Sequence, residues 1–142
     1  MKLLIAILLL FFQASQPPDK WKCCKDSKPL PNEQLVRVKP DELKERVVAC
    51  AVPRLPGMFD GQSTVFFQVQ IDEEGNIRCA RVISGGQNPT MRAAAIEAAK
   101  EWRFKPLIVD GHAKPYVGIL PLVVSWDTEK SGKQCPKEKR RA

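Results

Sequence analysis

The sequence Glu101-Trp102-Arg103-Phe104-Lys105-Pro106 ends an alanine-rich segment, and this junction decides the fold. The segment starts at Asn88 and Pro89, which suit the N-cap and the first turn of a helix. We therefore predict a helix that opens at Asn88-Pro89 and is closed by residues 101–106, because proline cannot continue it. One face has helical spacing and should pack on a sheet; it consists of Met91, Ala94, Ala95, Ala98 and Trp102.

Two strands are predicted before this helix. In residues 65–71 every second residue is apolar, which is typical of a strand with one buried face. Glu74-Gly75-Asn76 has the composition of a hairpin turn, and residues 77–83 form the predicted return strand. The apolar positions of the return strand change phase once, which indicates a β-bulge.

Another hairpin-like unit is predicted after Pro106. It comprises residues 107–109, an Asp110-Gly111 turn and a long strand over residues 116–126. Pro121 lies inside that strand, and proline lacks the N–H that a central strand donates to its neighbour. We therefore expect the last strand to lie at a sheet edge or to be interrupted at Pro121.

The region before these elements adds a short strand over residues 35–38 and a helix between Pro40 and Pro53. The helix is expected to have a buried face and an exposed ion pair. The face consists of Leu43, Val47 and Cys50, and the pair is Glu42 with Arg46. The element order predicts an α+β fold over residues 35–127, a two-layer domain with a small antiparallel sheet and helices packed on one face.

The N-terminus has the features of a secretory signal peptide over residues 1–15. Lys2 precedes an apolar run over residues 3–12, and small residues suited to cleavage follow at Ala14 and Ser15. The alternative is a membrane anchor, but spanning a bilayer takes about 20 apolar residues. Residues 16–34 are rich in proline and lysine, which is typical of a linker or an irregular arm.

The net charge of +7 comes from the ends of the chain. Residues 31–127 hold 12 basic and 12 acidic side chains, whereas residues 128–142 hold six basic and two acidic ones. A neutral core with basic tails argues against nucleic-acid binding. We expect residues 128–142 to be a disordered tail; the alternative is attraction to an anionic cell-wall or membrane surface.

Five cysteines are present, and export to an oxidising compartment would favour disulfides. We predict that Cys50 pairs with Cys79 and that Cys23 or Cys24 pairs with Cys135. An odd count leaves at least one cysteine without an internal partner.

The sequence holds no constellation for chemistry, so we predict neither an enzyme nor a metal or cofactor site. His112 is the single histidine and follows the predicted Asp110-Gly111 turn, which favours an exposed turn residue. The acidic turn at residues 72–74 has too few ligands for calcium.

The order and spacing of these motifs resemble the C-terminal domain of TonB, the periplasmic energy transducer of Gram-negative bacteria, over residues 52–127. The shared features are a glycine before an apolar strand, an acidic-Gly turn, a Ser-Gly strand end, and the alanine-rich helix ending in Trp-Arg-Phe-Lys-Pro. The family's Tyr-Pro turn is Leu55-Pro56 in this sequence. The residues that carry the resemblance are Pro56, Gly61, Gly75, Ser84, Gly85, Trp102, Arg103, Phe104, Lys105 and Pro106.

The resemblance implies a non-enzymatic domain that binds an envelope protein or an extended peptide by strand pairing at a sheet edge. The expected edge residues are Tyr116, Val117, Gly118, Ile119, Leu120, Leu122, Val123, Val124 and Ser125. We expect a stand-alone form that is periplasmic or secreted after cleavage, and strand-exchanged dimers in the family make a homodimer an open alternative. Two other functions stay open: a TonB-type energy transducer for outer-membrane transport with its inner-membrane anchor retained, and a structural domain held to the cell wall by its basic flanks.

Overall fold

The structure, a computed structural model, describes residues 20–24, 26–53, 62–86 and 88–125. The predicted signal peptide, Pro56, Gly61, Trp126, Cys135 and the basic tail lie outside these residues. The strands are β1 Lys22–Cys23, β2 Val36–Arg37, β3 Val47–Ala49, β4 Gln62–Ile71, β5 Ile77–Ser84, β6 Arg103–Phe104, β7 Leu107–Val109, β8 His112–Lys114 and β9 Tyr116–Ser125; the helices are α1 Pro40–Glu45 and α2 Pro89–Lys100.

The main sheet has five strands in the order β1-β5-β4-β9-β2. β4 is central and pairs antiparallel with β5 and with β9; its ladder with β9 runs from Gln62↔Ser125 to Ile71↔Tyr116. β2 pairs parallel to β9, so the sheet is mixed rather than purely antiparallel. The α+β architecture is confirmed.

One face of the sheet, the inner face, packs against the helices and forms the core. The predicted alternation in β4 holds, since Val65, Phe67, Val69 and Ile71 are fully buried. α2 buries a face of small residues against it, made of Met91, Ala95, Ala98 and Ala99. Asn88 caps that helix as predicted, and its Oδ1 accepts hydrogen bonds from the backbone N–H groups of Thr90 (2.9 Å) and Met91 (3.4 Å).

Both helices are shorter than predicted, because their expected last turns form a second, two-stranded sheet. β3 pairs antiparallel with β6, with Val47 opposite Phe104 and Ala49 opposite Arg103. β-Branched residues favour extended backbone, which explains β3. Trp102 and Phe104 are buried while Arg103 between them is exposed. Burial at every second residue is the period of a strand, so the prediction that Trp102 belongs to the buried face of the helix was wrong.

The predicted bulge in the return strand is confirmed, and a second one accompanies it. The β4–β5 register shifts between Gln70 and Ile71 and again between Phe66 and Phe67. The first shift skips Arg78 on β5, and this turns Cys79 to the side of the sheet on which Gln70 lies. That side is the outer face, away from the helices.

The predicted disulfides are wrong. Cys79 pairs with Cys23, its partner across the β1–β5 ladder, with their Cα atoms 3.9 Å apart. Cys50 belongs to the core on the inner face, so the sheet separates it from Cys79. Cys50 is itself disulfide-bonded. Cys24 is a free thiol, so neither Cys23 nor Cys24 is bonded to Cys135.

Candidate functional site

The predicted binding strand, β9, is covered along one side and only partly along the other. β4 pairs with all ten of its residues. On the opposite side β2 pairs only with Tyr116 and Val117. From Gly118 to Leu122, no strand among the described residues pairs with this second side, which leaves an open edge shorter than the predicted one.

The backbone direction along β9 decides which residues of the open edge can bond to a partner strand. Val36 N–H donates to Pro115 O (3.2 Å) and Val38 N–H donates to Val117 O (3.0 Å), so odd-numbered carbonyls point away from β4. Backbone direction alternates along a strand, so Ile119 and Pro121 point the same way. Ile119 offers an N–H and a C=O, whereas Pro121 offers only its C=O.

Most side chains of the predicted site belong to the core instead. Buried residues on the inner face are Tyr116, Gly118, Leu120, Leu122 and Val124. A Cβ on Gly118 would lie 2.9 Å from Leu43 Cδ2, so the glycine makes room for α1. Pro121 is exposed on the outer face, and Ile119 and Val123 are half-buried there. Of the predicted strand, Ile119 and Pro121 thus lie on the outer face next to the open edge.

Tyr116 fixes the beginning of β9 to the segment before it. Its hydroxyl donates to Lys105 O (2.8 Å), and the Arg46 guanidinium carbon lies 5.8 Å from its ring centroid. Burial raises the pKa of Tyr116 to about 12, although the positive charge of Arg46 opposes the shift. Arg46 also donates to Pro106 O (3.3 Å) and pairs with Glu42 (3.4 Å) as predicted. The sequence predicted that ion pair but not the role of Arg46 in positioning Lys105 and Pro106.

Among the motif residues that the structure describes, Gly75, Trp102 and Phe104 are buried and hold the fold together, whereas the others are exposed: Ser84, Gly85, Arg103, Lys105 and Pro106. Trp102 Nε1–H donates to Ala51 O (2.9 Å), and the Phe104 backbone N–H donates to Gly75 O (2.8 Å). Gly75 has a φ of 90°, and a Cβ there would overlap the Phe104 carbonyl oxygen. The turn after β4 therefore requires glycine. Ser84 ends β5 opposite Phe66, and Gly85 follows it.

The outer face carries a feature that the sequence did not predict. An N-terminal segment, called the arm and comprising residues 20–24 and 26–30, lies against β5 and the outer face of β4. The side-chain amide of Gln70 accepts from Leu30 N–H (2.8 Å) and donates to Leu30 O (3.0 Å), and Gln70 is only 1% exposed. The Arg81 guanidinium carbon lies 4.4 Å from the Trp21 ring centroid. Beyond the arm, Phe66 remains 39% exposed, directly opposite Pro121.

The part of the chain that the structure describes contains no group of three or more His, Cys, Asp or Glu residues arranged to hold a metal ion. Within the same residues, no helix is long and apolar enough to cross a membrane.

Comparison with known proteins gives a family match for β4, β5, α2 and most of β9. The family model for the Gram-negative bacterial TonB protein C-terminal matches residues 60–123. Protein TonB of Vibrio cholerae serotype O1 (strain ATCC 39315 / El Tor Inaba N16961) is 30% identical over 59 residues, which cover 42% of this chain and 24% of that protein. The chain thus spans about a quarter of the length of this relative. No solved structure matches. The match covers β4, β5, α2 and most of β9, so the TonB C-terminal family is assigned to residues 60–123 and not to the rest of the chain.

Proposed function

We propose that this chain is a non-enzymatic, exported domain of the cell envelope that binds an extended segment of an envelope protein at the open edge of β9. The observation that carries the proposal is the open edge from Gly118 to Leu122, where Ile119 presents its backbone N–H and C=O. Membership of the TonB C-terminal family supports a role in the envelope. We propose residues 35–127 as the domain, between a leader (1–15) with an arm or linker (16–34) and a basic tail (128–142).

β2 shows how an added strand would lie. It runs parallel to β9, and the chain leaves the edge where α1 begins at Pro40. A partner peptide would continue the line of β2 past Val38 and bond to Ile119 N–H, Ile119 O and Pro121 O. Main-chain hydrogen bonds would supply affinity, and alternate side chains would supply selectivity.

The outer face determines which peptides fit this edge. Phe66, Pro121 and Ile119 form a mainly apolar surface next to it, and Phe66 and Pro121 are directly opposite each other. A peptide strand with an apolar residue on that side would cover Phe66. Because Pro121 donates no hydrogen bond, the edge accepts only a short stretch of strand and resists pairing with long foreign strands.

The test uses synthetic peptides copied from the periplasm-facing segments of outer-membrane receptors, with binding measured by calorimetry. Ile119→Pro removes one backbone N–H and should weaken binding about tenfold, the loss expected for one buried hydrogen bond. Ile119→Val keeps that N–H and is the matched control. Far-UV circular dichroism checks that each variant is folded.

A second scan tests the same idea without changing the protein. The peptide that binds most tightly is N-methylated at one residue at a time, which removes one donor in each case. Strand addition predicts that every second methylation abolishes binding, because alternate N–H groups face β9. Uniform sensitivity, or none, would contradict strand pairing at this edge.

The two other functions depend on parts of the chain outside the described residues. Energy transduction with a retained anchor depends on residues 1–15, and attachment to an anionic polymer depends mainly on residues 128–142. Both stay predictions, as does a homodimer.

A further inference from the structure

The arm covers the edge of the sheet that lies opposite β9. β1 pairs with β5 through Lys22↔Ala80 and Cys23↔Cys79, and Cys24 N–H donates to Arg78 O (2.9 Å). Arg78 Nε in turn donates to Lys28 O (2.6 Å). The arm thus occupies backbone groups of β5 between Arg78 and Ala80 that another strand could otherwise use, and this edge is independent of the site proposed on β9.

The described contacts between the arm and the side chains beneath it are polar, although the buried Val117 lies opposite Gln70 on the same face. Gln70 meets Leu30, Arg81 lies over Trp21 and donates to Gln68 Oε1 (2.8 Å), and Arg78 bonds to the arm backbone. Water can replace the hydrogen bonds that Gln70 and Arg78 make to the arm when the arm leaves. An arm that sealed the core would instead cover residues such as Val65 and Phe67.

The arm has few other attachments. None of its described residues is fully buried, and β1 is two residues long. A strand pair this short is only marginally stable by itself. The covalent bond from Cys23 to Cys79 is therefore the strongest link between the arm and the sheet.

We propose that the arm is a redox latch, held over the β5 edge and Gln70 by the Cys23–Cys79 disulfide and lifted when a dithiol reduces that bond. Cys79 is fully buried and Cys23 is half-buried, so an incoming thiolate reaches the sulfur of Cys23. The attack forms a mixed disulfide with Cys23, and Cys79 leaves as a thiolate and takes up a proton. The second thiol of the reductant then attacks the reductant's own sulfur in the mixed disulfide. This step releases Cys23 as a thiol and the reductant as a disulfide.

Cys24 complicates a simple test, because its free thiol lies next to Cys23 and donates to Ile77 O (3.1 Å). In a Cys23→Ser chain it could replace Cys23 as the partner of Cys79. The comparison is therefore between Cys24→Ser, which keeps the latch, and the double variant Cys23→Ser/Cys24→Ser, which lacks it. Both variants keep the disulfide of Cys50.

The measurement is amide hydrogen exchange by NMR at Leu30 and at residue 24, whose N–H groups bond to Gln70 Oε1 and Arg78 O. The proposal predicts exchange about tenfold faster or more at both amides in the double variant, with no change at Phe67 and Val69 in the core. Wild-type protein treated with dithiothreitol should show at least the same increase at the two arm amides, since this treatment also reduces the disulfide of Cys50, and reoxidation should reverse it.

Two results would overturn the proposal. Unchanged exchange at both arm amides in the double variant would mean that the arm stays in place without the bond. Faster exchange throughout β4 would mean that the disulfide supports the whole fold rather than the arm alone.

Discussion

Phe66 and Phe67 are adjacent in β4 and have the same side chain, but they lie on opposite faces of the sheet. Phe67 is fully buried in the core cluster that also contains Ala95 and Trp102. Phe66 is 39% exposed beside Pro121. The inner face is apolar and is covered by the helices. The outer face carries both polar and apolar side chains, and the arm covers only part of it. The first face determines the fold, whereas the part of the outer face beyond the arm borders the edge of β9 that is proposed for binding.

Phe67→Ala tests the inner side of this comparison and should have the largest effect. Removing a fully buried phenylalanine leaves a cavity and typically lowers the free energy of unfolding by about 3–5 kcal/mol. Urea denaturation followed by far-UV circular dichroism measures the change. A loss below about 1 kcal/mol would show that the core collapses around the site and that the inner face is not rigidly packed.

Tyr116 tests whether the inner face tolerates a charge. It is the single tyrosine of the sequence, so the absorbance of its phenolate can be followed directly. Burial holds the folded-state pKa at about 12, against 10.0 for the free side chain. The folded state therefore keeps its proton where the unfolded state loses it, and the stability that this group contributes is present below pH 10 and is lost between pH 10 and about 12.

The control for this titration is Tyr116→Phe. The variant should lose the hydrogen bond to Lys105 O at every pH and should show a shallower fall in stability above pH 10, because the remaining titrating groups are unchanged. A phenolate that forms with an ordinary pKa in the folded wild type would contradict burial of the hydroxyl.

Sequence patterns predicted the features of this fold that depend on neighbouring residues. The alternation in β4, the Asn88 cap and the bulge before Cys79 are all set within a few positions, so periodicity and capping preferences reveal them. The pairing of Val47–Ala49 with Arg103–Phe104 joins two segments distant in the chain, each too short to show a period. Their strands could not be distinguished from the ends of α1 and α2.

The candidate site was predictable only in outline. Pro121 indicated an edge. It lies in the part of β9 where no described strand pairs with the side of β9 opposite β4. Which residues present their backbone there depends on the pairing of β2, a two-residue strand, with Tyr116 and Val117. The arm was harder to predict, because Gln70 occupies a position in the alternation of β4 that is ordinarily exposed. In the fold it is buried, and its amide bonds to Leu30.

Phe66→Ala completes the comparison and should have the smallest effect on stability. A side chain that remains 39% exposed loses little contact on truncation, and we expect the free energy of unfolding to fall by less than about 1 kcal/mol. Peptide binding at the β9 edge should weaken nonetheless, since an apolar side chain of the added strand would cover the Phe66 ring. Urea denaturation and calorimetry with the same peptide separate the two quantities. If Phe66→Ala costs as much stability as Phe67→Ala, the outer face is part of the core and is not available for a ligand; if stability and binding are both unchanged, the peptide does not contact this face.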